Sequence, residues 1–274
     1  MLCSLPVELY AHICSFIVTR DLYSLLLASK DKARETERAL YHTIDLRGLV
    51  NYFSLALQKE TEDIYNLFKL LATSTRHALL VRTLHLPSIY RNHALATFYI
   101  RAILNLPHLR HLSAPFVPLE CKFRLQSLKC AEPIEDLIAL LRVQTDLTRL
   151  EWPWKSNGYI VCFGSDDDTP ALRQLTLEIP PLRNLKVLVV PVDYIGEFLP
   201  ATERLEELVL KSDKYELADI LGQLPVMPTV HKLAAPEDAC VTKPTLLAII
   251  RAFPHLRSLD FNPDSGVRID SPLV

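Results

Sequence analysis

Glycine is scarce in this sequence of 274 residues, at six, and the six cysteines are scattered along the chain. Phosphate-cradling loops depend on glycine, and neither a GxxxxGKS/T nor a GxGxxG pattern occurs. The cysteines form no CxxC pair and no Cys/His spacing typical of zinc sites. We therefore expect no cofactor and no bound metal, and we predict free, mostly buried thiols in a reducing compartment.

An excess of charge and a long apolar run are missing as well. The formal net charge of −2 predicts no attraction to nucleic acid or to an anionic membrane. No run approaches the roughly 18–20 apolar residues that span a bilayer. The first residues lack the basic region of a secretory signal, and Glu8 and His12 interrupt the apolar stretch. We expect a cytoplasmic or nuclear protein with neither nucleic acid nor a membrane as its partner.

Signatures of catalysis are also absent. The sequence contains no GxSxG, HExxH or HxE…CxxC motif. The acidic run at 164–170, GSDDDTP, lacks the alternating ligand spacing of a calcium loop, so we predict a solvated loop there. The expectation is a non-catalytic protein.

Apolar surface is abundant near the start of the chain. Leu9, Ile13, Phe16 and Ile17 recur at helical spacing, and Pro6 suits the first turn of such a helix. A second helix is predicted over 22–28 and a third up to about residue 41, followed by a short strand over 43–46. Three short helices cannot bury all of this surface in one another. We predict that the remainder packs against a partner, either the rest of this chain or another protein.

From Leu79 onward a leucine pattern repeats. Its core is leucine, two residues, leucine, one residue and an apolar residue, mostly at intervals in the twenties, as in leucine-rich repeats. Helical patterns at 94–104, 134–143, 215–224 and 245–253 separate the copies. Stacked strand–helix units would share one core, which predicts an irregular solenoid. The clearest copies begin at Leu109, Leu172, Leu185, Leu205 and Leu256.

The N-terminal segment LPVELYAHICSFIVTRDLYSLLLASKDKARETERALYHTIDL resembles an F-box. The matching pattern is Leu-Pro-x-Glu-Leu, then Ile-x-x-x-Ile, Asp-Leu, Ser-Lys and an aromatic residue before a strand. Together with the repeats, the resemblance implies a mixed α/β fold: a three-helix F-box followed by an irregular leucine-rich-repeat solenoid with short parallel strands and helices. The predicted domains are an F-box at 1–46, a helical linker or repeat cap at 47–78 and a repeat domain at 79–274.

The same resemblance implies a function. In this family the F-box docks onto the Skp-type adaptor of an SCF-type cullin–RING ubiquitin ligase, and the repeats hold a protein substrate. Two alternatives stay open: a scaffold that binds the adaptor without directing degradation, and a plain repeat protein whose first helices only cap the solenoid. The residues predicted to contact the adaptor are Leu5, Pro6, Leu9, Ile13, Phe16, Ile17, Leu22, Leu25 and Ser29.

Positions between the repeat leucines are the default substrate surface. They carry both charge signs, so the sequence implies no substrate charge. Trp152 and Trp154 lie two residues apart, and on an extended segment they would share one face. Tryptophan is enriched at binding hot spots, but it also fills the edge of a solenoid, and both interpretations stay open. The predicted substrate contacts are Arg110, Arg173, Lys186, Glu206, Arg257, Trp152 and Trp154.

Overall fold

The computed structural model of this protein describes residues 6–14, 33–47, 57–86, 93–152, 178–211, 217–235 and 242–261, together with residues 21, 24, 25 and 27. The chain divides into two compact units, Met1–Phe123 and Arg124–Val274. The domain limits predicted at residues 46 and 78 both fall inside the first unit, and they stay predictions.

The first unit combines helices with three short strands. The strands are parallel, and Ile44, Leu84 and Leu112 lie opposite one another at their centres, all buried. The strand predicted over 43–46 and the helices predicted to end near residues 41 and 104 are therefore present. The described elements are α1 (Val7–Cys14), α2 (Ala33–His42), β1 (Thr43–Asp45), α3 (Leu57–Thr73), α4 (Thr75–Ala78), β2 (Thr83–His85), α5 (His93–Leu104) and β3 (His111–Ser113).

Helix α3 lies in the segment predicted to join the F-box to the repeats. Ile64, Phe68 and Leu71 recur at i, i+4 and i+7, so they share one face of the helix, and all three are buried. The ring of Phe68 packs 5.8 Å from that of Tyr99 on α5, measured between centroids. Aromatic burial between α3 and α5 thus gives the first unit a core of its own.

The second unit repeats one strand pattern six times. Each described pairing is parallel, and the strands follow one another in chain order. Helix α6 occupies the predicted range, 134–143. The described elements are β4 (Ser127–Lys129), α6 (Ile134–Val143), β5 (Arg149–Glu151), β6 (Val187–Pro191), α7 (Ile195–Phe198) between 3₁₀ turns at Val192–Tyr194 and Leu199–Ala201, β7 (Glu207–Lys211), α8 (Leu217–Gln223), β8 (Lys232–Ala234), α9 (Lys243–Ala252) and β9 (Ser258–Asp260).

A ladder of leucines runs through the second unit. One leucine from each strand occupies the same register position, so each stacks on the leucine of the next strand. All but the last are fully buried. The mixed α/β class with parallel strands is thereby confirmed, whereas the solenoid remains a prediction. The ladder consists of Leu128, Leu150, Leu188, Leu208, Leu233 and Leu259.

The helices of the second unit carry sequence signals at their ends. Helix α6 has Glu135 and Asp136 in its first turn and Arg142 in its last, which suits the helix dipole. Helix α9 begins with a capping box, in which the Thr242 hydroxyl accepts from the Thr245 backbone N–H at 3.3 Å. Among the described residues, no helix is both long enough and apolar enough to cross a bilayer.

Candidate functional site

Helix α1 packs on α2 through one of its faces. Tyr10 and Cys14 lie one turn apart on α1, with 2% and 1% of their surfaces exposed, and Leu25 and Leu40 pack against them. The Tyr10 hydroxyl lies 3.0 Å from the hydroxyl of Thr36, which is itself fully buried on α2. This contact satisfies two buried hydroxyl groups at once. The α1–α2 pair therefore has a small, polar-satisfied core.

The neighbouring face of α1 points outward. Leu9 and Ile13, again one turn apart, keep 50% and 38% of their surfaces exposed. Residues at i and i+4 of a helix lie on the same side, so these two side chains form one apolar stripe, which we call the α1 stripe. A short helix thus carries apolar side chains on two adjacent faces, of which only one is covered.

The other residues predicted to contact the adaptor divide into two groups. Pro6 is exposed at the start of α1, next to the α1 stripe. Leu25 is partly buried against Tyr10 and Cys14, so part of its surface already serves the α1–α2 core. The remaining predicted contacts lie outside the described residues: Leu5, Phe16, Ile17, Leu22 and Ser29.

Two of the cysteines that the structure describes, Cys14 and Cys130, are buried and act as core side chains. Burial raises the pKa of the Cys14 thiol, and hydrogen bonds with Thr36 and Tyr10 offset this in part. Burial raises the pKa of Cys130 to about 12. A thiol reacts as its thiolate, so both groups are chemically quiet at neutral pH. This agrees with the expectation of buried thiols.

Trp152 is placed in the core, which corrects its assignment as a substrate contact. Its exposed fraction is 0%, and its Nε1–H donates to the backbone carbonyl of Glu132 at 2.8 Å. The ring packs at 4.9 Å from Tyr194 and 5.9 Å from Phe198. An indole enclosed in this way offers no face to a partner, so the packing interpretation describes it. Trp154 lies outside the described residues.

The predicted substrate contacts in the second unit partly neutralise one another. Lys186 and Glu206 precede neighbouring strands, and the Lys186 Nζ donates to the Glu206 carboxylate at 2.8 Å. The hydrogen bond from Lys186 lowers the pKa of Glu206. Exposed pairs of this kind contribute little to stability, but they do cancel local charge. Arg110 and Arg257 are exposed, and Arg173 lies outside the described residues.

A second charge cluster spans β4 and β5. Glu151 is bound by Lys129 at 3.0 Å and by Arg149 at 2.6 Å. Partial burial raises the pKa of Glu151, but the hydrogen bonds and charges of these two cations outweigh that effect and lower it. Glu207 and Lys232, on β7 and β8, pair at 2.7 Å. These five charged side chains therefore have partners on the same or the next strand.

The first unit holds a different charge pattern that the sequence analysis missed. His42, Arg82 and Arg110 each stand immediately before a strand. The backbone N–H of Arg82 donates to the His42 carbonyl at 3.0 Å, and that of Arg110 to the Arg82 carbonyl at 2.8 Å, so the three residues lie side by side. An alignment of the residues that immediately precede the three strands would have shown this pattern, because that position is basic in all three.

The described residues include no cluster of three or more His, Cys, Asp or Glu side chains suited to a metal ion. The acidic run at 164–170 lies outside them. No protein-family model matches the sequence, and no curated protein shows a significant match to it. The F-box resemblance therefore depends on the sequence residues that carry it.

Proposed function

We propose that this chain is the substrate-recognition subunit of an SCF-type cullin–RING ubiquitin ligase. The N-terminal helices would bind the Skp-type adaptor, and the strand-bearing region would bind a protein substrate. The chain would perform no bond chemistry of its own. It would act by holding substrate lysines close to the ubiquitin thioester, which raises their effective concentration.

The observation that carries this proposal is the α1 stripe. Leu9 and Ile13 hold positions of the F-box pattern, and both side chains remain exposed although the adjacent face of α1 is packed. Burying two such side chains fully would contribute on the order of 1–3 kcal/mol, because each is already about half covered. A nanomolar complex needs about 12 kcal/mol, so the stripe can only be the centre of a larger surface. The other predicted contacts Leu5, Phe16, Ile17 and Leu22 would supply the rest.

The test is co-expression of the chain with a Skp-type adaptor, followed by size-exclusion chromatography. The wild-type chain is expected to co-elute with the adaptor as a 1:1 complex. The variant Leu9→Asp, Ile13→Asp is expected to fold but to lose the adaptor, because two carboxylates cannot be buried in an apolar contact.

A matched control comes from α9. Leu246 and Ile250 are also one turn apart and are 37% and 54% exposed. The variant Leu246→Asp, Ile250→Asp removes the same kind of stripe elsewhere, and it should keep the adaptor. Retention by the α1 variant, or equal loss in both variants, would contradict the proposed docking surface. Accumulation of bound proteins when the chain is deleted would then separate a substrate receptor from a scaffold.

A further inference from the structure

The basic residues before the strands of the first unit form one continuous cluster. His42, Arg82 and Arg110 lie in adjacent strand rows, about 4.8 Å apart, so the row is about 10 Å long. Arg38 stands one turn before His42 on α2, which places it on the same face of that helix. We call Arg38, His42, Arg82 and Arg110, together with the neighbouring His111, the basic row.

Neighbouring positive charges affect the pKa values of two side chains in the basic row. Partial burial and the charges of Arg110 and Arg38 lower the pKa of Arg82. Loss of solvent around the ring and the charges of Arg82, Arg38 and His111 lower the pKa of His42. Burial is the larger cause in both cases, and the neighbouring positive charges add to it. An approaching anion would relieve that repulsion.

Within the described residues, no carboxylate forms an ion pair with Arg38, Arg82 or Arg110. Two of the acidic groups on α2 and β1 are engaged elsewhere. Glu37 pairs with Arg76 and His77, and Asp45 pairs with Arg47. The same row in the second unit is different, because Lys186 there has Glu206 beside it. The basic row is thus a cationic surface that the described carboxylates of its unit do not neutralise through ion pairs.

We propose that the basic row binds an acidic segment of a protein partner, with carboxylates of Asp or Glu seated against Arg38 and Arg110. The guanidinium groups of both are exposed, and each can take a carboxylate in bidentate fashion. Side chains on one side of an extended peptide recur about every 6–7 Å, so a row about 10 Å long matches two of them. This proposal does not depend on adaptor docking.

Arg82 has a supporting role in the row. Its Nη1 donates to the backbone carbonyl of Leu79 at 2.7 Å and to that of Val81 at 3.2 Å, so part of its guanidinium is held by its own loop. Arg82 contributes a positive charge at a fixed position, whereas Arg38 and Arg110 supply guanidinium N–H groups that can bind a ligand. Substituting Arg82 would disturb the loop as well as the charge, and we therefore leave it intact in the test.

A polypeptide suits this surface better than a nucleic acid does. Nucleic-acid binding commonly engages about 6–10 phosphates along the backbone, whereas the basic row offers a handful of cations over about 10 Å. The chain as a whole carries a formal net charge of −2, which opposes a long polyanion. Two or three carboxylates in a short segment match the size of the row.

The experiment measures fluorescence anisotropy of a labelled peptide of alternating glutamate and serine against the purified full-length chain at low salt. The wild type is expected to bind it, with affinity falling as salt rises. The variant Arg38→Gln, Arg110→Gln is expected to bind about tenfold or more weakly, since each lost contact removes a charge-assisted pair. Thermal unfolding checks that the variant is folded.

The matched control is Arg257→Gln. Arg257 is exposed and precedes β9, so it holds the equivalent position in the second unit, where its backbone N–H donates to His231. This variant should bind the peptide as tightly as the wild type. Equal weakening by both variants, or no binding by the wild type at low salt, would overturn the proposal. Tighter binding of a single-stranded oligothymidylate than of the peptide, lost in the Arg38→Gln, Arg110→Gln variant, would overturn the choice of a polypeptide ligand.

Discussion

The leucine ladder of the second unit and helix α1 of the first unit differ in how completely they bury their apolar side chains. In the ladder, each leucine is covered by the leucine of the neighbouring strand, and Leu128 to Leu233 are fully buried. On α1, Tyr10 and Cys14 are covered by α2 but Leu9 and Ile13 are not. Stacking of repeated strands thus leaves little apolar surface exposed along each strand, whereas a short helix with two apolar faces leaves one of these faces exposed. An open face of this kind is where a partner can contribute stability.

The largest loss of stability is expected for a substitution within the leucine ladder. Replacing Leu208 by alanine removes a fully buried side chain of β7, which lies in the ladder between Leu188 of β6 and Leu233 of β8. We expect the free energy of unfolding to fall by about 2–5 kcal/mol, from lost transfer energy and the cavity left behind. Urea denaturation followed by circular dichroism measures the change.

The control for Leu208→Ala is the same substitution at an exposed leucine of the same unit. Leu247 on α9 keeps 59% of its surface exposed, so Leu247→Ala should change stability by at most about 0.5 kcal/mol. Similar losses at the two positions would mean that the ladder is not the core of this unit.

The core position of Trp152 can be checked in the same way. Trp152→Phe keeps an aromatic ring but removes the Nε1–H that donates to the Glu132 carbonyl, and it leaves space beside Tyr194. We expect a loss of about 1–3 kcal/mol in the free energy of unfolding. Wild-type stability in this variant, measured by urea denaturation, would contradict the core position of Trp152.

A smaller effect is expected on the covered face of α1. Tyr10→Phe keeps the ring and removes the hydroxyl bound to Thr36, which leaves a buried threonine hydroxyl without that partner. The expected loss is about 0.5–1.5 kcal/mol in the stability of the α1–α2 pair. Amide hydrogen exchange across residues 7–14 and 33–42 measures it, and Leu9→Ala on the open face is the control that should leave exchange nearly unchanged.

The smallest effect concerns the ion pair at the end of β1. Hydrogen bonds from Arg47 lower the pKa of Asp45 to about 2, although slight burial acts in the other direction. A carboxyl whose pKa is lower in the folded state stabilises the fold above the unfolded pKa near 4, and this contribution disappears as the pH falls through about 2.

Asp45→Asn should therefore cost less than about 1 kcal/mol at pH 7, because both partners are largely exposed. The difference from the wild type should vanish at the acid end of a pH series of thermal unfolding. A difference that stays constant down to pH 2 would show that Asp45 acts through something other than its charge.

Much of the secondary structure was predictable from local pattern. The leucine spacing gave the strands, and the acidic first turn and basic last turn of α6 marked its ends, so its predicted range of 134–143 is the observed one. Helix α8 ends at Gln223, one residue before the predicted end, while the predicted start at 215 lies outside the described residues. Helix α9 begins earlier than residue 245 because Thr242 caps it. Capping by threonine is a weaker signal than an apolar period.

The features that the sequence analysis missed depend on register and on direction. Tyr10 and Cys14 form the covered face of α1. A tyrosine and a cysteine within an apolar stretch do not indicate which face of the helix packs against its neighbour. The basic row exists only once β1, β2 and β3 are aligned, because His42, Arg82 and Arg110 each precede a different strand and are far apart in the chain. Trp152 turned inward because its N–H finds a carbonyl there.

Hydrogen–deuterium exchange of the full-length chain, with and without a Skp-type adaptor, is the most direct test of whether the α1 stripe binds the adaptor. We expect peptides covering α1 to gain protection when the adaptor is present, and peptides covering β6 and β7 to stay unchanged. Unchanged exchange on α1 in a mixture that contains the adaptor in excess would contradict this binding, and so would protection that appears on the ladder strands alone.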